Sequence, residues 1–369
     1  MSIEQEMRLV ALRDDGMDSL KPDWRQAKER MTDWWAGKKV DRVVASLIAR
    51  RNGCEPHKPH GALVERHTDV ATSLANFEDW LGRTYFGAEG FPTYQPKLGP
   101  VQMAAFLGAE LVFRDEAIWQ SPLGLTWDET DRITFDRNNK WWIKWCELRR
   151  AGSERARGRF LVADGEGEAS IADVMINLFG HEETLVAMIE RPETVRELRD
   201  RMLVWVKEML DEAYQIVAPY QEGDIDWLHM WAPGSMKVFQ CDACVMLSPQ
   251  LFNDLFLEEI RRECTYVDYS FYHLDGSGEM RHLDALLSIE ELDGIQWTPE
   301  PTVPSNPAHF ADVWKRVQDA GKRLMFFTKP EHVRPILESI SRETVFLSVS
   351  CEDETEAREV LRELERIGM

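Results

Sequence analysis

The chain has 369 residues, enough for one large domain or two medium ones. Its 44 Lys and Arg face 65 Asp and Glu, a formal net charge of −21, and it is 44% hydrophobic. That balance excludes a binder of phosphate backbones or anionic membranes, which needs cationic patches, and it excludes a disordered chain.

Residues 1–13 are polar and carry no apolar signal core, and no run approaches the ~18 apolar residues of a membrane span, so a cytoplasmic location is expected. The first 40 residues read as helical. Apolar positions over 24–35 recur at i, i+3 and i+4, and Gly37 with Lys38 and Lys39 suits a helix end. Short apolar runs then predict buried strands over 43–49, 159–163, 225–230, 266–273, 294–297, 323–327 and 344–350. Amphipathic segments over 171–189, 192–215, 250–264, 307–320, 330–340 and 354–367 predict the helices between and after them. Strand followed by helix, repeated, means parallel strands joined by crossovers. With an eighth strand expected within 54–158, the pattern predicts an α/β fold, a (β/α)8 TIM barrel. Residues 1–369 then form one domain, with an N-terminal helical extension over 1–39 and an insertion over 54–158 after the first strand. An open doubly wound sheet is the alternative, but no Gly-rich phosphate loop follows any of the runs.

In a parallel barrel, reactive groups sit at the carboxyl ends of strands. The 266–273 run leads into His273-Leu274-Asp275, and the strand period of 2 points His273 and Asp275 the same way. The 294–297 run leads to Glu300, held extended between Pro299 and Pro301, and the 344–350 run ends at Cys351. An imidazole, a thiol and carboxylates converging from three strands suit Zn²⁺, with His273, Asp275 and Cys351 as ligands. His273 and Asp275 are also the candidate acid–base groups. His229, Gln240, Asp242, Trp297 and Glu300 are expected to line a substrate pocket, and Asp164 and Glu166 to lie at its mouth. Some of the 14 Trp are expected to form an aromatic wall, which would attract a methylated amine through cation–π contact. The pair Cys241 and Cys244 lacks the second CxxC of a zinc site. The six cysteines read as reduced thiols. Tyr272 should point away from His273, and His282 stands either behind the site or at a helix start.

Four stretches resemble the uroporphyrinogen decarboxylase superfamily: 34–42 (WWAGKKVDR), 98–110 (LGPVQMAAFLGAE), 181–199 (HEETLVAMIERPETVRELR) and 240–252 (QCDACVMLSPQLF). The resemblance extends over nearly the whole chain and implies a TIM barrel. True decarboxylases of that family carry Met-Arg-Gln-Ala-Gly-Arg-Tyr after the first strand, where this chain has Ile48-Ala49-Arg50-Arg51-Asn52-Gly53. A porphyrinogen with many carboxylates also needs a cationic cleft, which an acidic chain does not favour. The resemblance is therefore closer to the branch that moves a methyl group between a corrinoid protein and a thiol or other small acceptor. That branch binds zinc through His-x-Cys and a distant Cys, here His273, Asp275 and Cys351. Cobalamin-independent methionine synthase is similar and adds a Glu, here Glu300. Asp275 stands where a Cys is expected, which would make the zinc a harder, stronger Lewis acid. The resemblance implies a zinc-dependent methyltransferase-like enzyme with a small-molecule substrate and a corrinoid protein as partner. The sequence leaves the oligomeric state open, with a homodimer as one expectation. A metal-free decarboxylase or lyase using His273 and Asp275 is the alternative. A non-enzymatic binding protein on the same scaffold is a third reading.

Overall fold

Thirteen strands occur in the computed structural model, which describes residues 20–114, 117–163 and 170–368. In chain order they are β1 (Val44–Arg50), β2 (Thr84–Ala88), β3 (Thr93–Tyr94), β4 (Glu110–Arg114), β5 (Ala117–Ser121), β6 (Leu161–Val162) and β7 (Asp224–Ile225), then β8 (Trp231–Ala232), β9 (Met236–Gln240), β10 (Tyr269–Asp275), β11 (Gly294–Thr298), β12 (Arg323–Thr328) and β13 (Val345–Val349). Seven of them make the central sheet, in the order β2-β1-β13-β12-β11-β10-β9. Strand β2 runs antiparallel to β1 and every other pair is parallel. The carboxyl ends of β1 and β9 to β13 therefore share one edge. The fold is mixed α/β around a mostly parallel sheet.

Period-2 alternation sorts the strand residues between two apolar layers. Ala45, Leu47, Phe239, Tyr272, Leu274, Ile295, Trp297, Phe326 and Leu347 pack in the large layer shared with the helices. Val44, Val238, Phe271, Met325 and Phe346 face the other way. That second layer is filled by the helix Trp24–Trp35, which buries Trp24, Ala27, Met31, Trp34 and Trp35. Trp35 donates its indole N–H to the carbonyl of Trp231 at 3.0 Å. The start of β1 is tied by Glu89, fully buried, which accepts from Arg42 at 2.8 and 2.9 Å, Arg30 at 2.8 Å and the Ala45 amide at 2.9 Å.

Five of the seven expected runs overlap a strand over most of their length, the run over 159–163 holds only the two residues of β6, and the run over 225–230 shares only Ile225 with a strand. Its strand stops at Ile225, because the Asp226 carboxylate takes the backbone N–H of Trp227 at 2.5 Å and of Val238 at 3.0 Å. The chain turns there, and His229 adopts φ +56°, with its N–H bonded to the Asp226 carbonyl at 2.9 Å. The sheet strand that follows, β9, was missed because it carries Lys237, which is buried 3.4 Å from Asp226 instead of exposed. The region 54–158 contributes β2 to the central sheet and β3 to a parallel pair with β6, so it is more than an excursion from β1. The expected helix over 171–189 is two helices, Ile171–Phe179 and His181–Glu190, divided at Gly180, whose φ of +103° suits glycine. The helices Pro192–Val217 and Glu354–Ile367 follow their predicted spans. No helix among the described residues is long and apolar enough to cross a membrane.

Candidate metal centre at the carboxyl edge of the sheet

Strand β10 pairs with β9 and β11 so that Gln240, His273 and Gln296 stand side by side. All three lie on the face opposite Tyr272 and Trp297. The Gln296 amide oxygen accepts the Nδ1–H of His273, and its Nε2 donates to the Thr298 hydroxyl at 2.9 Å. This arrangement holds the His273 proton on Nδ1 and leaves Nε2 with its lone pair. Two residues on, Asp275 leaves the strand on the same side. Beyond β9, Asp242 begins the 3₁₀ turn Asp242–Met246.

One ligand atom each from Asp242, His273 and Asp275 lies within 4.8 Å of the others. Both carboxylates are exposed and the imidazole is half-buried. Among the described residues, neither carboxylate has a Lys or Arg ion-pair partner. The Asp242 carboxyl is held above its ordinary range, first by the walls that desolvate it; His273 opposes the shift and Asp275 adds like-charge repulsion. Two mutually repelling carboxylates beside an imidazole are a donor set whose like charge a divalent cation relieves. Gln240 donates to the Asp242 carboxylate at 3.4 Å, a long contact.

Behind this edge lies a buried polar layer. Asp173 accepts from the amides of Asp242 at 3.0 Å and Ala243 at 2.8 Å, and burial pushes its carboxyl up to about 7. Glu259 accepts from the Ile171 amide at 2.8 Å and is pushed up to about 8 by burial. Glu279, 1% exposed, accepts from the Asp275 amide at 3.2 Å and is pushed up to about 11, again by burial first. Cys241 and Cys244 are free thiols in this layer, with Tyr272 Oη 4.0 Å from Cys244 Sγ. His282 donates its Nε2–H to the Cys244 carbonyl at 2.9 Å, and burial lowers its pKa. Sequence patterning gives no sign of Asp173, Glu259 or Glu279, because their burial arises from other segments. Period 2 over 294–297 says that Gln296 and Trp297 face opposite ways, and the register of β10 with β11 puts Gln296 on the site's face.

Several expected residues stand elsewhere. Cys351 is not part of the metal-competent group. It follows β13, three strands from β10 in the sheet order. It packs half-buried against the helix-side core, where burial pushes its thiol up to about 12. Trp297 is fully buried on the helix side, 5.0 Å from Phe310 and 5.1 Å from Trp314 between ring centroids, and so lines no pocket. Glu300 is turned to Ser277, whose amide it accepts at 2.7 Å; these hydrogen bonds lower its pKa. It joins the loops after β10 and β11. Asp164 and Glu166 lie outside the described residues.

A cavity of about 300 Å³ opens beyond β3. Phe77, Trp80 and Tyr94 form its aromatic wall, and Arg66, His67, Lys97 and His229 contribute polar groups. Cationic side chains on that wall do not favour the methylated ammonium expected from the tryptophan count. The loop after β7 links this cavity to the metal-competent group. Trp227 sets its ring edge-on to His273 with centroids 5.0 Å apart, and His229, two residues later, lines the cavity.

No protein-family model matches the chain, and no curated protein sequence is similar to it. Among solved structures, the chain is similar to a methyltransferase from Methanosarcina mazei, with a TM-score of 0.58 and 12% identity, over 92% of this chain and 98% of that one. At that identity the likeness is one of fold.

Proposed function

We propose that the chain is a metal-dependent, methyltransferase-like enzyme on a (β/α)8 barrel of the uroporphyrinogen decarboxylase type. In this reading the six parallel strands of the central sheet, with β2 beside β1, form most of the barrel wall. The short parallel pair β3 and β6 brings the number to eight, and β7 lies beside β9. The reading rests chiefly on one observation, the convergence of Asp242, His273 and Asp275 within 4.8 Å at the carboxyl edge. Three protein ligands leave an open position for substrate, as in catalytic zinc sites. The donor set differs from that of the resemblance, with Asp242 in place of Cys351.

When bound there, Zn²⁺ supplies Lewis acidity toward an oxygen or sulfur of the methyl acceptor. The chain's own groups do the rest. Gln296 keeps the His273 proton on Nδ1, so that Nε2 would be the nitrogen left to hold the ion. Glu279 holds the backbone of Asp275 where its carboxylate leaves β10. Trp227 closes one side of the imidazole against water. His229 and the aromatic wall receive the body of a small acceptor, and a corrinoid protein docking over this edge delivers the methyl group.

Zinc analysis of the protein purified without chelator is expected to give one ion per chain. Asp242→Ala lowers zinc affinity at least 100-fold, whereas Cys351→Ser leaves it within twofold. Loss of methyl from methylcobalamin to small thiols and alcohols, followed by absorbance, is expected to depend on the ion. Zinc content near zero, or zinc lost with Cys351 and kept without Asp242, refutes the proposed centre. Decarboxylase or lyase turnover that survives chelation, without methyl transfer, favours instead the metal-free reading in which His273 and Asp275 act as acid and base.

A further inference from the structure

We infer that Asp173 is a positioning residue of the metal centre: its carboxylate holds the backbone of Asp242 in the place from which that side chain reaches His273 and Asp275. This rests on the metal reading above. Asp242 and Ala243 open a 3₁₀ turn whose N-cap is Cys241, which makes no side-chain capping bond. Their amides are the orphan donors of a helix start. Asp173 takes both of them, Oδ2 from Asp242 at 3.0 Å and Oδ1 from Ala243 at 2.8 Å, across 69 and 70 residues of chain.

The placement of Asp173 makes this a diversion from a local role. It is the third residue of the helix Ile171–Phe179, whose N-cap Ser170 accepts from the Asp173 amide at 3.3 Å. An acidic side chain at that position ordinarily turns back to the N-cap amide of its own helix. Here the Ser170 hydroxyl instead donates to Asp173 Oδ2 at 3.0 Å and steers the carboxylate toward the distant turn. Glu259 accepts from Ile171 at 2.8 Å and anchors the start of the same helix from below. Asp173 is 7% exposed and, among the described residues, pairs with no Lys or Arg. A buried carboxylate without a countercharge is costly, and the two amides that compensate it belong to the metal-ligand turn. An asparagine there could accept one of the two bonds but would press its NH₂ against the other donor.

The test is Zn²⁺ affinity by chelator competition and the visible spectrum of the Co²⁺-loaded full chain, for wild type, Asp173→Asn, Ser170→Ala and Asp242→Ala. Asp173→Asn is expected to weaken Zn²⁺ about 10- to 100-fold, the range for groups that orient a ligand. It should also change the cobalt band positions while near-ultraviolet circular dichroism stays native. Ser170→Ala should weaken binding in the same direction by a smaller factor. A merely structural role would lower Tm and leave the cobalt spectrum of the folded protein unchanged. Wild-type affinity and spectrum in Asp173→Asn overturn the inference. If that variant does not fold, unchanged affinity in Ser170→Ala overturns it. Failure of the wild type itself to bind either metal overturns the metal reading, and the inference with it.

Discussion

Replacing Gln296 with Leu removes the acceptor of the His273 Nδ1–H while keeping a buried side chain of similar size. Gln296 is fully buried, and its amide bridges His273 and Thr298, so no water stands ready to substitute. Two responses are open to the ring. It can keep the proton on Nδ1 with no acceptor, which costs about 1–3 kcal/mol. Alternatively it can move the proton to Nε2 and lose the ligating lone pair. Either response lowers metal affinity, by about 10- to 100-fold for a group of this kind, or roughly 1.4–2.7 kcal/mol. Gln296→Glu restores an acceptor at the same place and is expected to stay within a few-fold of wild type. Zinc titration against a chromophoric chelator at neutral pH reads all three proteins. Equal affinity in wild type, Gln296→Leu and Gln296→Glu would refute the reasoning, because Nε2 would then not need the bond on Nδ1.

The remaining predictions concern stability and the cavity. Burial pushes Glu259 up to about 8, above the 4.5 of a free glutamate, so the unfolded chain gives up this proton at lower pH than the folded one. Its contribution to stability therefore falls as pH rises from about 4.5 to about 8, by up to about 1.4 kcal/mol per pH unit. Glu259→Gln should flatten that part of the urea-denaturation pH profile; an unchanged slope would mean that Glu259 is not the group responsible. His229 holds φ +56°, a backbone that costs an L residue roughly 1 kcal/mol or more. His229→Gly should raise Tm slightly while weakening any ligand of the cavity, and a lowered Tm would show that the ring's packing outweighs its backbone strain. Arg42→Ala removes two charged hydrogen bonds from the fully buried Glu89 and should cost about 3 kcal/mol in urea unfolding.

The strand runs were readable because a parallel sheet covered on both faces demands continuous apolar segments, and 43–49, 323–327 and 344–350 have no other use. The run over 225–230 failed because one carboxylate, Asp226, outcompeted the ladder for two amides. Strand β9 was hidden by Lys237, whose charge reads as exposed until a buried Asp226 is placed beside it. His273 and Asp275 were identified from local spacing alone, since two residues on one strand need no partner to share a direction. Trp297 faces the helices and not the site, because the register of β10 with β11 sets Gln296 beside His273.

Local pattern thus settles most of the sheet strands and the long helices, and that an imidazole and a carboxylate leave β10 together. Proximity between segments is another matter, because it depends on strand order and not on separation along the chain. Asp242 joins His273 because β9 is hydrogen-bonded to β10, whereas Cys351 beyond β13 packs into the helix-side core. Carboxylates such as Asp173 and Glu259 look like any surface acid until the packing of three helices and a turn removes water from them, and only assembly of those pieces reveals the amides they hold.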